Sequence, residues 1–156
     1  MTQPAGTSDH TVALEPVGKS NRAAVLALEL LPEQQGFVAS NAESLAEARH
    51  DDEAIARAVV AGLRVVGFLM YSAPDDDDEA IIYRFMIDRR EQGKGFGRAA
   101  VAKALEEIAR LGHVRQVSIC YEPENEAARR LYAGFGFIEQ GLDEDDEMIA
   151  VLNMGG

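Results

Sequence analysis

The chain has 156 residues, 47% of them apolar, and a formal net charge of −12. That length fits one domain rather than two, and a domain of this size buries roughly 70% of its unfolded surface, so no disulfide or metal is needed to hold a core. The acidity argues against a phosphate-backbone partner, which requires clustered Lys and Arg; it keeps the protein soluble and draws cations to its surface.

Cys120 is the single cysteine, which excludes an internal disulfide framework and suits a reducing compartment. Met1–Val17 holds no apolar run of signal-peptide length, and no stretch approaches ~18 uninterrupted apolar residues. A cytoplasmic location is expected.

In chain order, Thr11–Val17 has short β character before Gly18, and Asn21–Leu31 spaces its leucines and valine as a helix does, until Pro32 breaks the pattern. Ser40 or Asn41 caps a second predicted helix through Arg49. Ile55–Ala61 and Leu63–Tyr71 flank Gly62 as a β-hairpin. The Asp75–Asp78 run reads as a solvated loop before a strand over Ala80–Ile87. An amphipathic helix follows from about Gly97 to Leu111 and ends at Gly112. Val114–Tyr121 is a strand, and Pro123 precedes a helix from Asn125 to Ala133 that Gly134 closes. Phe137–Gln140 and Met148–Asn153 are strands around the acidic turn Asp143–Glu147. This order gives an α+β fold with one mixed sheet, a single domain over 1–156 with frayed ends at 1–10 and 154–156.

Gln92-Gly93-Lys94-Gly95-Phe96-Gly97 lies between a strand and a helix. Its glycines let the backbone approach a ligand and turn N–H groups toward one point, and the helix adds the positive end of its dipole. The loop therefore suits a pyrophosphate, or is simply a flexible turn. A dinucleotide fingerprint fails because Arg98 stands where the third glycine belongs, and a nucleotide P-loop fails because Gly95 stands where Ser or Thr should follow Gly-Lys.

Gln92, Gly95 and Gly97 match the acetyl-CoA signature Gln/Arg-x-x-Gly-x-Gly/Ala, and the stretch resembles that of GNAT-superfamily N-acetyltransferases. Arg84–Asp88 is similar to the family's fourth strand, and Asn125–Tyr132 followed by Gly134–Phe137 to its second CoA segment. The resemblance is strong from about Val66 to Phe137. Pro32-Glu33-Gln34, Phe37, Ser44–Ala48 and Gly67–Tyr71 further resemble bacterial spermine/spermidine acetyltransferases of the diamine type.

The resemblance implies a central, mostly antiparallel sheet of about six or seven strands flanked by about four helices, and acetyl-CoA as co-substrate. It implies that the backbone of Phe85, Met86 and Ile87 lines the pantetheine arm, and that Gln92, Gly93, Lys94, Gly95, Phe96, Gly97 and Arg98 hold the pyrophosphate. Asn125, Ala128 and Arg129 would contact the rest of the cofactor. Such positioning turns a two-body reaction into one between held groups.

Asn125, Ala128 and Tyr132 share one helix face at i, i+3 and i+7. The family role implied for Tyr132 is proton donor to the departing thiolate, against the plainer role of core packing beside Leu131 and Phe135. A phenol near ~10 protonating a thiolate near ~8.5 is uphill by roughly 2 kcal/mol, so proton release from the new ammonium must help. Glu33, Tyr83 and Glu122 are the candidate acceptor contacts. Where some family members place a glutamate in the fourth strand, this chain reads Ile82-Tyr83-Arg84, which leaves the base open among Glu33, Glu122 and a water chain.

His10, His50 and His113 lack metal-ligand spacing with Cys120, so no metal is expected, and Cys120 reads as a buried strand thiol. The expected reaction is acetyl transfer to a primary amine, with a polyamine such as spermidine or spermine as acceptor and direct attack in a ternary complex. Another amine acceptor (amino acid, drug or protein), or a CoA-binding sensor without turnover, stays open. A homodimer is implied by the family alone.

Overall fold

The strand Arg64–Ser72 shows how the sheet divides its core. Leu69 and Tyr71 pack on one face and Phe68 and Met70 on the other, all at 1% exposure or less, as the two-residue strand period requires. A strand buried on both faces needs helices on both. The computed structural model, which describes residues 11–29 and 54–155, supplies them. The expected helix through Arg49, the break at Pro32, fraying of residues 1–10, and Glu33, His10 and His50 lie outside the described residues.

Among the described residues the chain runs β1 (Ala13–Pro16), α1 (Arg22–Leu26), β2 (Ala54–Ala61), β3 (Arg64–Ser72), β4 (Glu79–Ile87), α2 (Phe96–Arg110), β5 (Gln116–Tyr121), α3 (Glu126–Gly134), β6 (Ile138–Leu142) and β7 (Met148–Asn153). The seven strands form one mixed sheet in the order β1-β2-β3-β4-β5-β7-β6, antiparallel except where β4 meets β5. This is the α+β architecture expected. Gly62, at φ +64°, turns the β2–β3 hairpin. No described helix is long and apolar enough to cross a membrane.

Helix α2 buries Phe96, Ala100, Val101, Ala104 and Ile108, one apolar stripe at helical spacing laid against Val66, Leu69 and Tyr71 of the sheet. Helix α1 covers the opposite face, with Val25 fully buried beside Phe68 and Met70.

Four expectations are corrected. Helix α1 stops at Leu26 rather than reaching Leu31, because Asp88 accepts the Glu29 N–H at 2.8 Å and Arg89 N–H bonds the Glu29 carbonyl at 2.6 Å, drawing the chain onto the end of β4. Gly134 belongs to α3, and the left-handed residue that lets the chain leave is Gly136, at φ +98°. Met154 is not frayed: its N–H bonds the Arg115 carbonyl at 2.8 Å and its side chain packs on the core. Cys120 is exposed rather than buried, since β5 turns Val117, Ile119 and Tyr121 to the core and Cys120 to the other face.

Candidate active site

Strands β4 and β5 pair only from Glu79–Gln116 to Ile82–Ile119. Beyond that point each follows a different neighbour. Strand β5 stays with β7 as far as Tyr121–Met148. Strand β4 stays with β3, but Met70 pairs with Arg84 and Tyr71 with Ile82, so Tyr83 is an extra residue and β4 bends there. The sheet opens between them.

That opening holds a cavity of about 520 Å³, walled by Ile81–Phe85 of β4, Ile119–Tyr121 of β5 and the following Glu122, Asn125, Ala128 and Tyr132 of the α3 segment, and Glu147. Tyr83, Glu122, Asn125, Ala128, Tyr132 and Phe85, all singled out in the sequence, meet here. Asp75–Glu79 do not border it. Asp77, Asp78 and Glu79 line a separate hollow with Arg115, Gln116 and Asn153, at the opposite end of the parallel pair.

Tyr132 is 4% exposed. Its ring stacks on Tyr121 with centroids 5.7 Å apart and planes 19° apart, and meets Phe137 edge-on at 5.6 Å. Its hydroxyl has no hydrogen-bond partner among the described residues, and burial, with Tyr121 beside it, pushes the phenol above its ordinary pKa. Tyr121 donates its own hydroxyl to Glu139 at 2.8 Å. Burial first, and then that bond, push it up to about 12.

Asn125 caps α3, its side-chain oxygen accepting the Ala128 N–H at 3.2 Å, which leaves the amide nitrogen as its remaining polar group. Arg129 turns away to Glu139, at 2.9 and 3.2 Å, and to Glu126 at 3.4 Å. Both cofactor roles expected for these side chains are thereby narrowed to what those bonds leave over.

The glycine loop begins one turn beyond β4. Gln92 Nε2 bonds the Ile87 carbonyl at 2.9 Å, tying loop to strand. Gly93 and Gly95 have φ of +80° and +87°, and Gly95 is the N-cap of α2 without any side chain capping the helix. The first N–H groups of α2 thus receive no side-chain acceptor, an arrangement suited to an anion. Gly97 faces Ile87, Phe85 and Leu131 at 3.8–4.0 Å from where a Cβ would sit. Lys94 is paired with Glu91 at 3.0 Å, and the Arg98 guanidinium lies 5.1 Å from the Phe135 ring centroid.

Of the cavity residues that the sequence did not single out, Arg84, Tyr121 and Glu147 carry ionisable side chains that bear on acetyl transfer. Arg84 lines the wall from β4, its Nη1 bonded to the Tyr83 carbonyl at 2.8 Å. Tyr121 was read only as a strand end. Glu147 stands just before β7, and because Met148 pairs with Tyr121, it falls beside Glu122. Only the β5–β7 register could have revealed it.

A sheet split between two parallel strands, with an uncapped helix N-terminus beyond one and a buried tyrosine beneath the other, defines an acyl-CoA-type transferase site. The chain's residues 22–137 match the acetyltransferase (GNAT) family, and the chain belongs to that family of acetyl-CoA-dependent N-acetyltransferases. It is 29% identical over 151 residues to the spermine/spermidine N(1)-acetyltransferase of Bacillus subtilis, covering 92% of this chain and 99% of the relative. It is 30% identical over 104 residues to the L-2,4-diaminobutyric acid acetyltransferase of Bordetella parapertussis, covering 56% and 55%. In fold it resembles the crystal structure of spermidine N-acetyltransferase from Vibrio cholerae in complex with CoA and spermine, with a TM-score of 0.76 at 18% identity, over 92% of this chain and 95% of that one.

Proposed function

We propose that this single domain transfers the acetyl group of acetyl-CoA directly to a primary amine of a small cationic acceptor, a polyamine such as spermidine or spermine, in a ternary complex. The observation that carries this reading is Tyr132, a side chain only 4% exposed that lines the cavity where the sheet opens and whose hydroxyl has no hydrogen-bond partner among the described residues. Acetyl-CoA would lie with its pyrophosphate on the glycine loop and its pantetheine along β4 from Phe85 to Ile87. Tyr132 would then stand where the departing sulfur needs a proton; its raised pKa keeps the phenol protonated but makes it the weaker acid, so proton release from the new ammonium must drive the transfer. Glu122 and Glu147 place two carboxylates in the cavity wall, which favours an acceptor with several ammonium groups.

Arg84 favours a second reading. Its guanidinium in the same wall would pair with a carboxylate, as a diamino acid offers, and one relative's name is that of a diamino-acid acetyltransferase. Thiol release with acetyl-CoA decides between them. Spermidine or spermine should be used more efficiently than a monoamine of similar length or a diamino acid. Equal efficiency for monoamines removes the polyamine assignment, and preference for the diamino acid installs the second reading.

A further inference from the structure

Strand β4 contributes no carboxylate to the cavity wall, and the two carboxylates there, Glu122 and Glu147, come from other elements. We propose that Glu147, on the turn between β6 and β7, is the general base that takes the proton from the acceptor's ammonium group. This rests on the acetyl-transfer reading above and adds to it the missing proton acceptor.

The turn is built to hold that side chain. Asp143 accepts the Asp145 and Glu147 N–H groups at 2.8 and 3.0 Å, and its own N–H bonds the Glu147 carbonyl at 2.8 Å. Asp143 Oδ1 is therefore committed to the turn, and the same carboxylate also bonds the Cys120 thiol. The Glu147 carboxylate has no hydrogen-bond partner among the described residues, and it lines the cavity opened between β4 and β5. The Cys120 sulfur and one carboxylate oxygen each of Asp143 and Glu147 lie within 4.8 Å of one another, so the carboxylate sits against a cavity-lining residue of β5.

A second observation points into the same space. The Tyr132 hydroxyl, on a side chain more than nine-tenths buried, also lacks a described partner there. Proton acceptor and proton donor thus border one cavity from opposite elements, the β6–β7 turn and α3.

The charges around Glu147 support a base. Burial, then Asp143, Glu122 and Asp145, raise its affinity for a proton, while Arg84 of β4 lowers it. The Cys120 thiol, from β5, is pushed up first by burial and then by the Asp143 and Glu147 carboxylates. The balance of the reaction is simple. The ammonium N–H bond breaks and its proton goes to Glu147, then to solvent. The nitrogen lone pair forms the C–N bond, the C–S bond breaks, and the sulfur takes a proton from Tyr132, which is restored by the second proton leaving nitrogen.

The test compares wild-type protein with Glu147→Gln, Glu147→Asp, Glu122→Gln and Glu144→Gln, the last an exposed residue of the same turn outside the cavity. Turnover of spermidine is followed from about pH 6 to pH 10, across the span between carboxylate and amine titration, with acetyl-CoA affinity measured by calorimetry. Glu147→Gln should lower kcat about 10²-fold or more and move the acidic limb of the pH profile up toward the amine's own titration, with acetyl-CoA affinity within about twofold. Glu147→Asp should recover part of the rate, and Glu144→Gln should match wild type. An unchanged limb in Glu147→Gln, equal losses in Glu147→Gln and Glu144→Gln, or loss in Glu122→Gln instead, overturns the assignment while leaving acetyl transfer standing. Wild-type protein that releases no thiol with any amine removes the acetyl-transfer reading itself, and Glu147's role with it.

Discussion

Tyr121 and Tyr132 lie nearly parallel, 5.7 Å apart and 19° from coplanar, and one of them has its hydroxyl committed while the other does not. Tyr121 is held by Glu139, which Arg129 also grips. The stack fixes the Tyr132 ring with no bond to its oxygen. Turnover should therefore need the Tyr132 hydroxyl while folding does not. Tyr132→Phe should change unfolding free energy by less than about 0.5 kcal/mol, because no described bond is lost, and lower kcat by ~10²–10⁴-fold. Paired denaturant and turnover measurements check this. A folded variant with wild-type kcat would reduce Tyr132 to packing.

The loop prediction concerns Gly95, which caps α2 at φ +87°. Gly95→Asp places a side chain and a negative charge beside the first N–H groups of the helix. Acetyl-CoA affinity should fall at least about tenfold, equivalent to about 1.4 kcal/mol. Calorimetry on a variant shown to be folded by circular dichroism is the check, and unchanged affinity would move the pyrophosphate elsewhere.

What could be read in the sequence was local. The glycine loop, the α2 stripe and the Asn125–Tyr132 face depend on spacings within about two turns of chain, and they stand where expected. Positions set by register were not legible. Glu147 needs the Tyr121–Met148 pairing to reach the cavity. Cys120 was misread because alternation along β5 has two phases, and the sequence alone does not say which faces the core. The end of α1 depended on Asp88, a residue 59 positions away from Glu29.

Gly67 should prove as important as the loop glycines. A Cβ there would lie 2.5 Å from the Met86 carbonyl oxygen and 2.7 Å from Ile87 Cδ1. The first of these is backbone and cannot swing aside. Gly67→Ala must push β4 away at the residues proposed to line the pantetheine, costing about 1–3 kcal/mol of stability. Urea unfolding and acetyl-CoA titration should both register it. Wild-type stability and affinity together would show that β4 yields freely.

Acid should reveal the tie between Asp88 and the end of α1. Asp88 is 2% exposed. Burial alone would raise its pKa, but bonds from the Arg90 side chain and the Glu29 and Arg90 N–H groups outweigh it, and the net shift is downward. A depressed carboxylate contributes stability that is complete above its unfolded value, near ~3.9, and is lost as pH falls through the folded one. Arg90 is itself 74% exposed, so its share is screened and the backbone bonds matter more. Asp88→Asn should cost about 1–2 kcal/mol at neutral pH, with the gap to wild type closing below about pH 4. A gap that stays constant into acid would show that shape, not charge, holds this joint.

Arg84 offers the sharpest separation of acceptor classes. It occupies the cavity wall with Glu122 and Glu147 and opposes the upward shift of Glu147. For a polyamine it is a like charge inside the binding site. For a diamino acid it is the natural partner of the carboxylate, and a guanidinium binds that group better than any other side chain. Arg84→Met keeps much of the apolar stem and removes the charge, together with the bond from Nη1 to the Tyr83 carbonyl at 2.8 Å and the contact with the Tyr83 ring. Polyamine kcat/KM should then rise about threefold to tenfold, equivalent to about 0.7–1.4 kcal/mol, and the rise should shrink as salt shortens screening to ~8 Å. Diamino-acid kcat/KM should fall at least about tenfold under the same conditions. Steady-state kinetics with both acceptors, at low and physiological salt, decide the matter. A variant that loses activity equally toward both acceptors would show that Arg84 shapes the cavity rather than choosing what enters it.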